Sequence, residues 1–253
     1  MRIGIIGAGT VGLATHNSLP ENHSVVYRDP PKGYNNDMND RDAVFICVPT
    51  PTKKGKQEPK ILLEVLEYLN FIKFNGLIII KSTVTPKNIQ NIMNCYCHMN
   101  IMVSPEFLDQ NKPYFKQKKH LMGVKDIHQA KMYRQIFHED TDFRTTNIKT
   151  AMMAKYVHNV YGSVKVGFFN EMFEVCGEEN IDYREMIGAM LGMTDHISRC
   201  YTRMSVDGER GWGGMCFPKD TTAFNNDYPN RITEGVIKEN LKYREKEMDN
   251  VLK

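Results

Sequence analysis

The chain lacks most of what would mark a membrane, nucleic-acid or disulfide-built protein. No apolar run approaches the ~20 residues of a membrane-spanning helix, so no membrane partner is expected. No tail of one charge sign is present: 33 basic and 30 acidic residues are interspersed and leave a net charge of +3. Nucleic acid is therefore not expected as a partner, whereas a small anionic substrate is compatible. The six cysteines, Cys47, Cys95, Cys97, Cys176, Cys200 and Cys216, contain no CxxC pair. Cys95 and Cys97 are too closely spaced for a usual zinc site, so no metal is expected. With 253 residues, 41% of them hydrophobic, the chain can bury a core without disulfide staples, which points to a reduced, cytoplasmic setting. Internal repeats and low-complexity tracts are also missing. The first eight residues already spell a strand and its turn, so no signal peptide is expected.

What is present begins with β-α-β punctuation. Met1 to Ile6 is an apolar run ending in Gly-Ala-Gly; a helical stretch follows through Leu19, then the β-branched run from Ser24 to Tyr27, closing at Asp29. Further apolar runs at Ala43 to Val48, Leu77 to Ile80 and Asn100 to Val103 alternate with helix-like segments at Glu58 to Phe71 and Pro86 to Cys95. Runs that are apolar throughout are what a parallel sheet covered on both faces requires. The reading is α/β: a trimmed, Rossmann-type doubly wound sheet over residues 1–148, followed by an all-helical domain over 149–253. In that second part Val157, Val160, Tyr161, Val164, Phe168 and Met172 recur at helical spacing, so a long helix presents an apolar stripe to a core or a partner. A second helix is expected over Tyr183 to Leu191, and a charged helix from about Thr233 to the end.

Gly7-Ala8-Gly9-Thr10-Val11-Gly12 is a GxGxxG placed after a strand and before a helix, with Asp29 ending the next strand. That context turns a weak pattern into a specific one. Gly7 permits the tight turn, Gly9 lets backbone approach a pyrophosphate, and Gly12 permits close packing of helix on strand. Thr10 and Val11 open the helix whose N-terminus favours the anion. Asp29 would accept hydrogen bonds from the adenosine ribose, favouring NAD over NADP. Three more stretches, Val48-Pro49-Thr50-Pro51, Lys81-Ser82-Thr83-Val84 and Ser104-Pro105-Glu106-Phe107-Leu108, each follow an apolar run, where an open α/β sheet presents its ligand crevice.

Gly211-Trp212-Gly213-Gly214-Met215-Cys216-Phe217-Pro218-Lys219-Asp220-Thr221 closely resembles the GxGGxCxPKD signature of the UDP-glucose/GDP-mannose dehydrogenases. The three crevice stretches match that family's motifs in the same order, as do Lys155-Tyr-Val-His-Asn159 and Asn170-Glu171, so the resemblance runs from Met1 to about Asn240. It implies oxidation of a nucleotide sugar's primary alcohol to an acid, with UDP-glucose as the first candidate and two NAD reduced. Cys216 would be the nucleophile that carries the aldehyde as a thiohemiacetal and then a thioester. Lys155 and Asn159, four apart on one helix face, would stabilise the developing oxyanion. Glu106 would be the acid/base that handles water, Thr83 its water-positioning hydroxyl, and Asp220 an aspartate assisting proton transfer near the cysteine. Pro49, Thr50, Ser82, Thr83 and Lys219 would join the glycine turn in holding NAD. Glu106, Phe107, Leu108, Lys155, Asn159, Arg199, Gly211 and Gly213 would line the sugar. The family's long helix makes a homodimer.

The chain also departs from the family. It passes from Asp29 through Pro30, Pro31 and Gly33 to Ala43, where the family carries a longer insertion. Gln110, with Asp109 beside it, stands where a second glutamate is common. The partner-reaching Arg-Ile-Gly stretch is matched by His196-Ile197-Ser198, with Arg199 and Arg203 as candidate substitutes. The family's third, nucleotide-gripping domain is not expected within these residues. Two rivals follow: a two-electron dehydrogenase of the β-hydroxyacid type, which also uses a helical lysine and asparagine, and a catalytically idle NAD-binding protein.

Overall fold

The computed structural model describes residues 1–107, 116–205 and 208–252. In chain order its strands are β1 (Arg2–Ile6), β2 (Ser24–Asp29), β3 (Tyr34–Asn35), β4 (Ala43–Ile46), β5 (Thr52–Lys53), β6 (Lys56–Gln57), β7 (Leu77–Ile80), β8 (Ile101–Val103), β9 (Lys119–Val124) and β10 (Asp142–Asn147). The helices are α1 (Thr10–Asn17), α2 (Lys60–Phe71), α3 (Pro86–Cys95), α4 (Ile127–Arg134), α5 (Ile148–Glu178), α6 (Tyr183–Gly192), α7 (Phe217–Asp227) and α8 (Arg231–Leu252). Two compact units result: residues 1–50 with 58–155, and residues 51–57 with 156 onward. The division falls inside α5.

The first unit is built on one eight-stranded sheet in the order β10-β9-β8-β7-β4-β1-β2-β3. β2, β1, β4, β7 and β8 pair parallel in succession. β9 turns antiparallel to β8, and the short β3 antiparallel to β2. The apolar runs explain the layering, because successive side chains on a strand face opposite ways. Val44, Ile46, Ile78 and Ile80 pack with Leu62, Leu66 and Leu69 of α2 and Ile89 and Ile92 of α3. Ala43, Phe45, Leu77 and Ile79 pack on the other face with Tyr133, Ile136 and Phe137. Each fully buried leucine or isoleucine contributes about 1.5–3 kcal/mol, so a sheet apolar on both faces is stable only when covered twice. Thr85 caps α3, accepting the Asn88 N–H at 3.2 Å with Pro86 as first helical residue.

β9, α4 and β10 did not announce themselves in the hydrophobic pattern. β10 is mostly polar and exposed, Asp-Phe-Arg-Thr-Thr-Asn, and is held as a strand by parallel pairing along the whole of β9.

The second unit is helical from α5 onward, but the all-helical expectation needs a correction: it also contains the β5–β6 hairpin from residues 51–57. The hairpin is tied to this unit by polar contacts that no hydrophobic pattern reports. The Gly55 N–H donates to the Val251 carbonyl at 2.8 Å, Thr52 Oγ1 to the Lys219 carbonyl at 2.9 Å, and Gln57 Nε2 to Tyr156 Oη at 2.8 Å. Asp182 caps α6 by accepting the Arg184 and Glu185 N–H groups. Phe169, Cys176, Tyr183 and Ile187 form one small core, and Trp212, Ile237 and Met248 another.

Candidate active site

In the first unit the parallel strands end along one edge of the sheet, and the crevice motifs stand there. Gly7 has φ +98°, and a Cβ would lie 2.5 Å from the Cys47 carbonyl oxygen, so only glycine fits the turn. A Cβ on Gly12 would strike the Gly7 carbonyl, so α1 packs on the turn itself. Gly9 differs: nothing lies within 4 Å of its Cβ position, and backbone is open to an approaching group. Gly9 is also the N-cap of α1 and offers no side-chain cap. The first N–H groups of the helix, beginning at Thr10 and Val11, therefore receive no side-chain cap from Gly9, the arrangement in which a helix start favours an anion. Asp29 Oδ2 accepts the Ala8 N–H at 2.8 Å, and Lys32 Nζ stands 3.9 Å from it while donating to the Ala8 carbonyl at 2.7 Å. Thr50 Oγ1 donates to the Thr83 carbonyl at 2.6 Å and Ser82 Oγ to the Val48 carbonyl at 2.7 Å. Those two bonds lock the segments after β4 and β7 together beside exposed Pro49. The open glycine, the uncapped helix start and the acidic strand end fit a dinucleotide.

Beside that edge Glu106 is buried, and its carboxylate is doubly held. Oε2 lies 2.8 Å from Lys81 Nζ, and Oε1 accepts the Phe107 N–H at 3.2 Å. Burial opposes the Lys81 charge, but the adjacent Glu106 carboxylate overrides it and leaves the lysine pKa raised. Lys155 is buried and places its ammonium 5.2 Å from the Phe107 ring centroid. Behind the pair, Tyr133 Oη meets Ser104 Oγ at 2.8 Å and His120 Nδ1 at 2.7 Å. Burial, then the Lys81 charge, lowers the His120 pKa to about 3; burial pushes the Tyr133 hydroxyl up to about 12. Lys81 was not anticipated as a site residue, although a lysine inside an apolar strand end is itself a signal that a buried carboxylate is near.

In the second unit Cys216 is the half-buried N-cap of α7, and the Asp220 N–H donates to its carbonyl at 3.0 Å. Asp220 is 1% exposed. Its Oδ2 accepts Asn159 Nδ2 at 2.7 Å and its Oδ1 accepts Lys219 Nζ at 2.6 Å. Ser163 Oγ and Thr221 Oγ1 meet at 2.7 Å alongside. The structure thus gathers Asn159 and Lys219 around the Asp220 carboxylate, and that carboxylate orients the Asn159 amide.

Two other expectations look different in the structure. Arg199 lies in a 3₁₀ turn and lines a cavity of about 590 Å³ together with Arg184, Arg203, Phe173 and Tyr183. Gly211 and Gly213, expected to admit a sugar, have a nearer reason to be glycine. A Cβ on Gly211 would strike Asn240 Oδ1, and one on Gly213 the Arg244 guanidinium and the Glu247 carboxylate, all on α8. Leu108 lies outside the described residues. Asn240, Arg244 and Glu247 were not legible as site residues, because a polar helix with spacing of four and three reads as a solvated face.

Comparison with known proteins addresses the family and the fold. Residues 31–141 match the NAD binding domain of the UDP-glucose/GDP-mannose dehydrogenase family, and residues 149–242 match that family's central domain. A UDP-glucose 6-dehydrogenase from Rickettsia prowazekii is 30% identical over 226 residues, which is 82% of this chain and 51% of the relative. The chain therefore spans about half the length of the curated relatives it matches. Among solved structures, a UDP-glucose dehydrogenase from Pyrobaculum islandicum superposes with a TM-score of 0.78 at 21% identity, covering 95% of this chain and 68% of that one. A 3-hydroxyisobutyrate dehydrogenase from Mycobacterium tuberculosis gives 0.66 at 16% identity, covering 95% and 85%. At these identities the two structures speak for the fold alone.

Proposed function

The chain belongs to the UDP-glucose/GDP-mannose dehydrogenase family, and on that premise we propose that it oxidises the primary alcohol of a nucleotide sugar to the acid with NAD, UDP-glucose to UDP-glucuronate being the preferred case. The observation that carries this reading is Cys216 at the start of α7, with Asp220 one turn on holding both Asn159 and Lys219. When bound, NAD accepts a hydride. Gly7, Gly9 and Gly12, with Thr10 and Val11, would seat its pyrophosphate, and Asp29 its adenosine ribose. Pro49, Thr50, Ser82, Thr83 and Lys219 would complete that cofactor site.

Loss of one hydride and one proton turns the alcohol into an aldehyde. The Cys216 sulfur adds to the aldehyde carbon, and the resulting thiohemiacetal loses a second hydride and proton to become a thioester. Water then displaces the thiol and leaves the acid. Lys155 and Asn159 would donate to the oxygen that gains charge at each addition. One Asn159 amide proton is committed to Asp220, which fixes the orientation of the group. Glu106 would take the proton of the attacking water, positioned by Thr83. Phe107, Leu108, Arg199, Gly211 and Gly213 remain the candidate sugar contacts.

Two further parts of the reading concern setting and partner. Val157, Tyr161, Phe168 and Val175 are large, apolar and 44–60% exposed along α5, which supports association with a second copy. The six cysteines contain no CxxC pair, a usage that supports a reducing, cytoplasmic setting. Among the described residues, no helix is long and apolar enough to cross a membrane.

The deciding measurement is the number of NADH formed per nucleotide sugar consumed. Two supports the reading. One would favour the two-electron β-hydroxyacid type, whose fold this chain shares with the 3-hydroxyisobutyrate dehydrogenase. NAD binding with no turnover against a panel of nucleotide sugars would leave only an idle NAD-binding protein.

A further inference from the structure

The loop that delivers Cys216 has little internal structure of its own, and its backbone groups are satisfied from elsewhere. Buried N–H and C=O groups need partners, so whatever supplies them dictates the path of the chain. Here five of the loop's N–H and C=O groups, those of Trp212 among them buried, are met by three side chains from one face of α8. Asn240 Oδ1 accepts the Trp212 N–H at 2.7 Å while its Nδ2 donates to the Trp212 carbonyl at 2.9 Å. Arg244 donates through Nε to the Arg210 carbonyl at 2.8 Å and through Nη2 to the Glu209 carbonyl at 3.0 Å. Glu247 Oε1 accepts the Gly214 N–H at 2.7 Å, and its Oε2 pairs with Arg244 Nη1 at 3.1 Å. Residues 240, 244 and 247 follow the spacing of neighbours on a helix surface. Arg244 itself has left helical geometry, with φ −129° and ψ 37°, and α8 kinks there.

The fit is tight in both directions. Arg244 is 5% and Asn240 1% exposed, and the glycines at 211 and 213 leave the volume these side chains occupy. Since the Gly214 N–H is spent on Glu247, it is not on hand to bind a developing oxyanion two residues before Cys216.

We propose that Arg244, with Asn240 and Glu247, is a positioning residue for Cys216: the guanidinium templates residues 209–214 and so sets where the thiol stands. The proposal rests on the reading of Cys216 as nucleophile, and its test is arranged so that the two can fail separately. Arg244→Met keeps an apolar stem but frees both carbonyls, and Arg244→Lys retains the charge on one donor nitrogen in place of the three that Arg244 uses.

The readout is iodoacetamide labelling of each cysteine in the full chain, followed by peptide mass mapping, alongside acid formation from UDP-glucose. In Arg244→Met, Cys216 should label about tenfold faster, the factor expected from losing one or two buried charged hydrogen bonds. Labelling of buried Cys176, in the same unit, should stay at the wild-type rate. The kcat for acid should fall by a similar factor with the KM for NAD unchanged, and Arg244→Lys should recover part of both. Unchanged Cys216 labelling in Arg244→Met would overturn the proposal. So would equal acceleration at Cys176, because that would be general loosening of the unit. Acid formation at the wild-type rate despite faster labelling would likewise overturn it. If the wild type makes no acid yet the labelling pattern holds, the reaction fails and the template stands.

Discussion

Two glycine-rich turns bear the proposed cofactor and cysteine sites, and they are glycine-rich for opposite reasons. At Gly7 to Gly12 the middle glycine faces empty space, so the missing side chain is a vacancy for something outside the chain. At Gly211 to Gly214 the missing side chains are already replaced by Asn240, Arg244 and Glu247, so the vacancy is filled from within. One turn is shaped for a ligand by its own strand and helix. The other is shaped by a helix some thirty residues later in sequence. A glycine motif in a sequence does not say which case applies; the space around each Cβ does.

The sharpest separation between the turns is chemical. Cys216→Ser should lower sugar-acid formation on the order of 10³-fold or more, since in the proposed reaction both the second hydride loss and the hydrolysis pass through the thiol. NAD affinity, which the proposed site assigns to the first turn, should be unchanged by calorimetry. Acid formation near the wild-type rate would break the division of labour between the turns.

A smaller and more direct contrast comes from adding one methyl group to each turn. Gly213→Ala drives a Cβ into the Arg244 guanidinium and should cost about 1–3 kcal/mol of stability, read as a lower denaturant midpoint. Gly9→Ala meets nothing and its φ of −89° suits alanine, so stability should change by less than about 0.5 kcal/mol. Its NAD affinity should fall about tenfold or more, roughly 1.4 kcal/mol, because the methyl occupies the pyrophosphate approach. If both variants lost stability alike, the two turns would not differ in the way described.

The contrast also explains what could be read from the residues alone. The sheet's central strands were legible because Ala43 to Ile46, Leu77 to Ile80 and Ile101 to Val103 are apolar on both faces, and burial leaves few other arrangements. α5 was legible from the helical spacing of Val157 to Met172. β10 was not, because Asp142 to Asn147 hold strand geometry through pairing and carry no apolar pattern. The β5–β6 hairpin was missed for a related reason: single hydrogen bonds from Thr52, Gly55 and Gln57 tie it to the second unit. Among the motif residues, Gly7 stands in a positive-φ turn after β1 and Asn159 lies on α5. Lys81 and Arg244 were hidden because their importance lies in long-range partners, Glu106 and the carbonyls of Glu209 and Arg210.

The two units should also part company in acid, through one histidine. His120 is 3% exposed, stacked among Tyr133, Phe137 and Phe143, and bonded through Nδ1 to Tyr133 Oη and through Nε2 to the Gln117 carbonyl. Burial and the nearby Lys81 charge lower its pKa from 6.5 to about 3. In the unfolded chain the ring takes a proton near 6.5, whereas in the folded unit it stays neutral down to about 3. Between those values the unfolded state binds more protons, so the contribution is complete above the upper pH and is lost as pH falls toward the lower one. The slope is at most about 1.4 kcal/mol per pH unit. The second unit's His158 and His196 are both exposed. Hydrogen exchange at about pH 5 should therefore show amides of β7 and β8 losing protection relative to pH 7 by more than amides of α5 beyond Tyr156. His120→Phe keeps the ring packing and removes the titration, at a fixed cost of about 1 kcal/mol for the lost hydrogen bonds. It should erase the difference in slope between the units, and a slope that survives the substitution would assign the acid sensitivity to other groups.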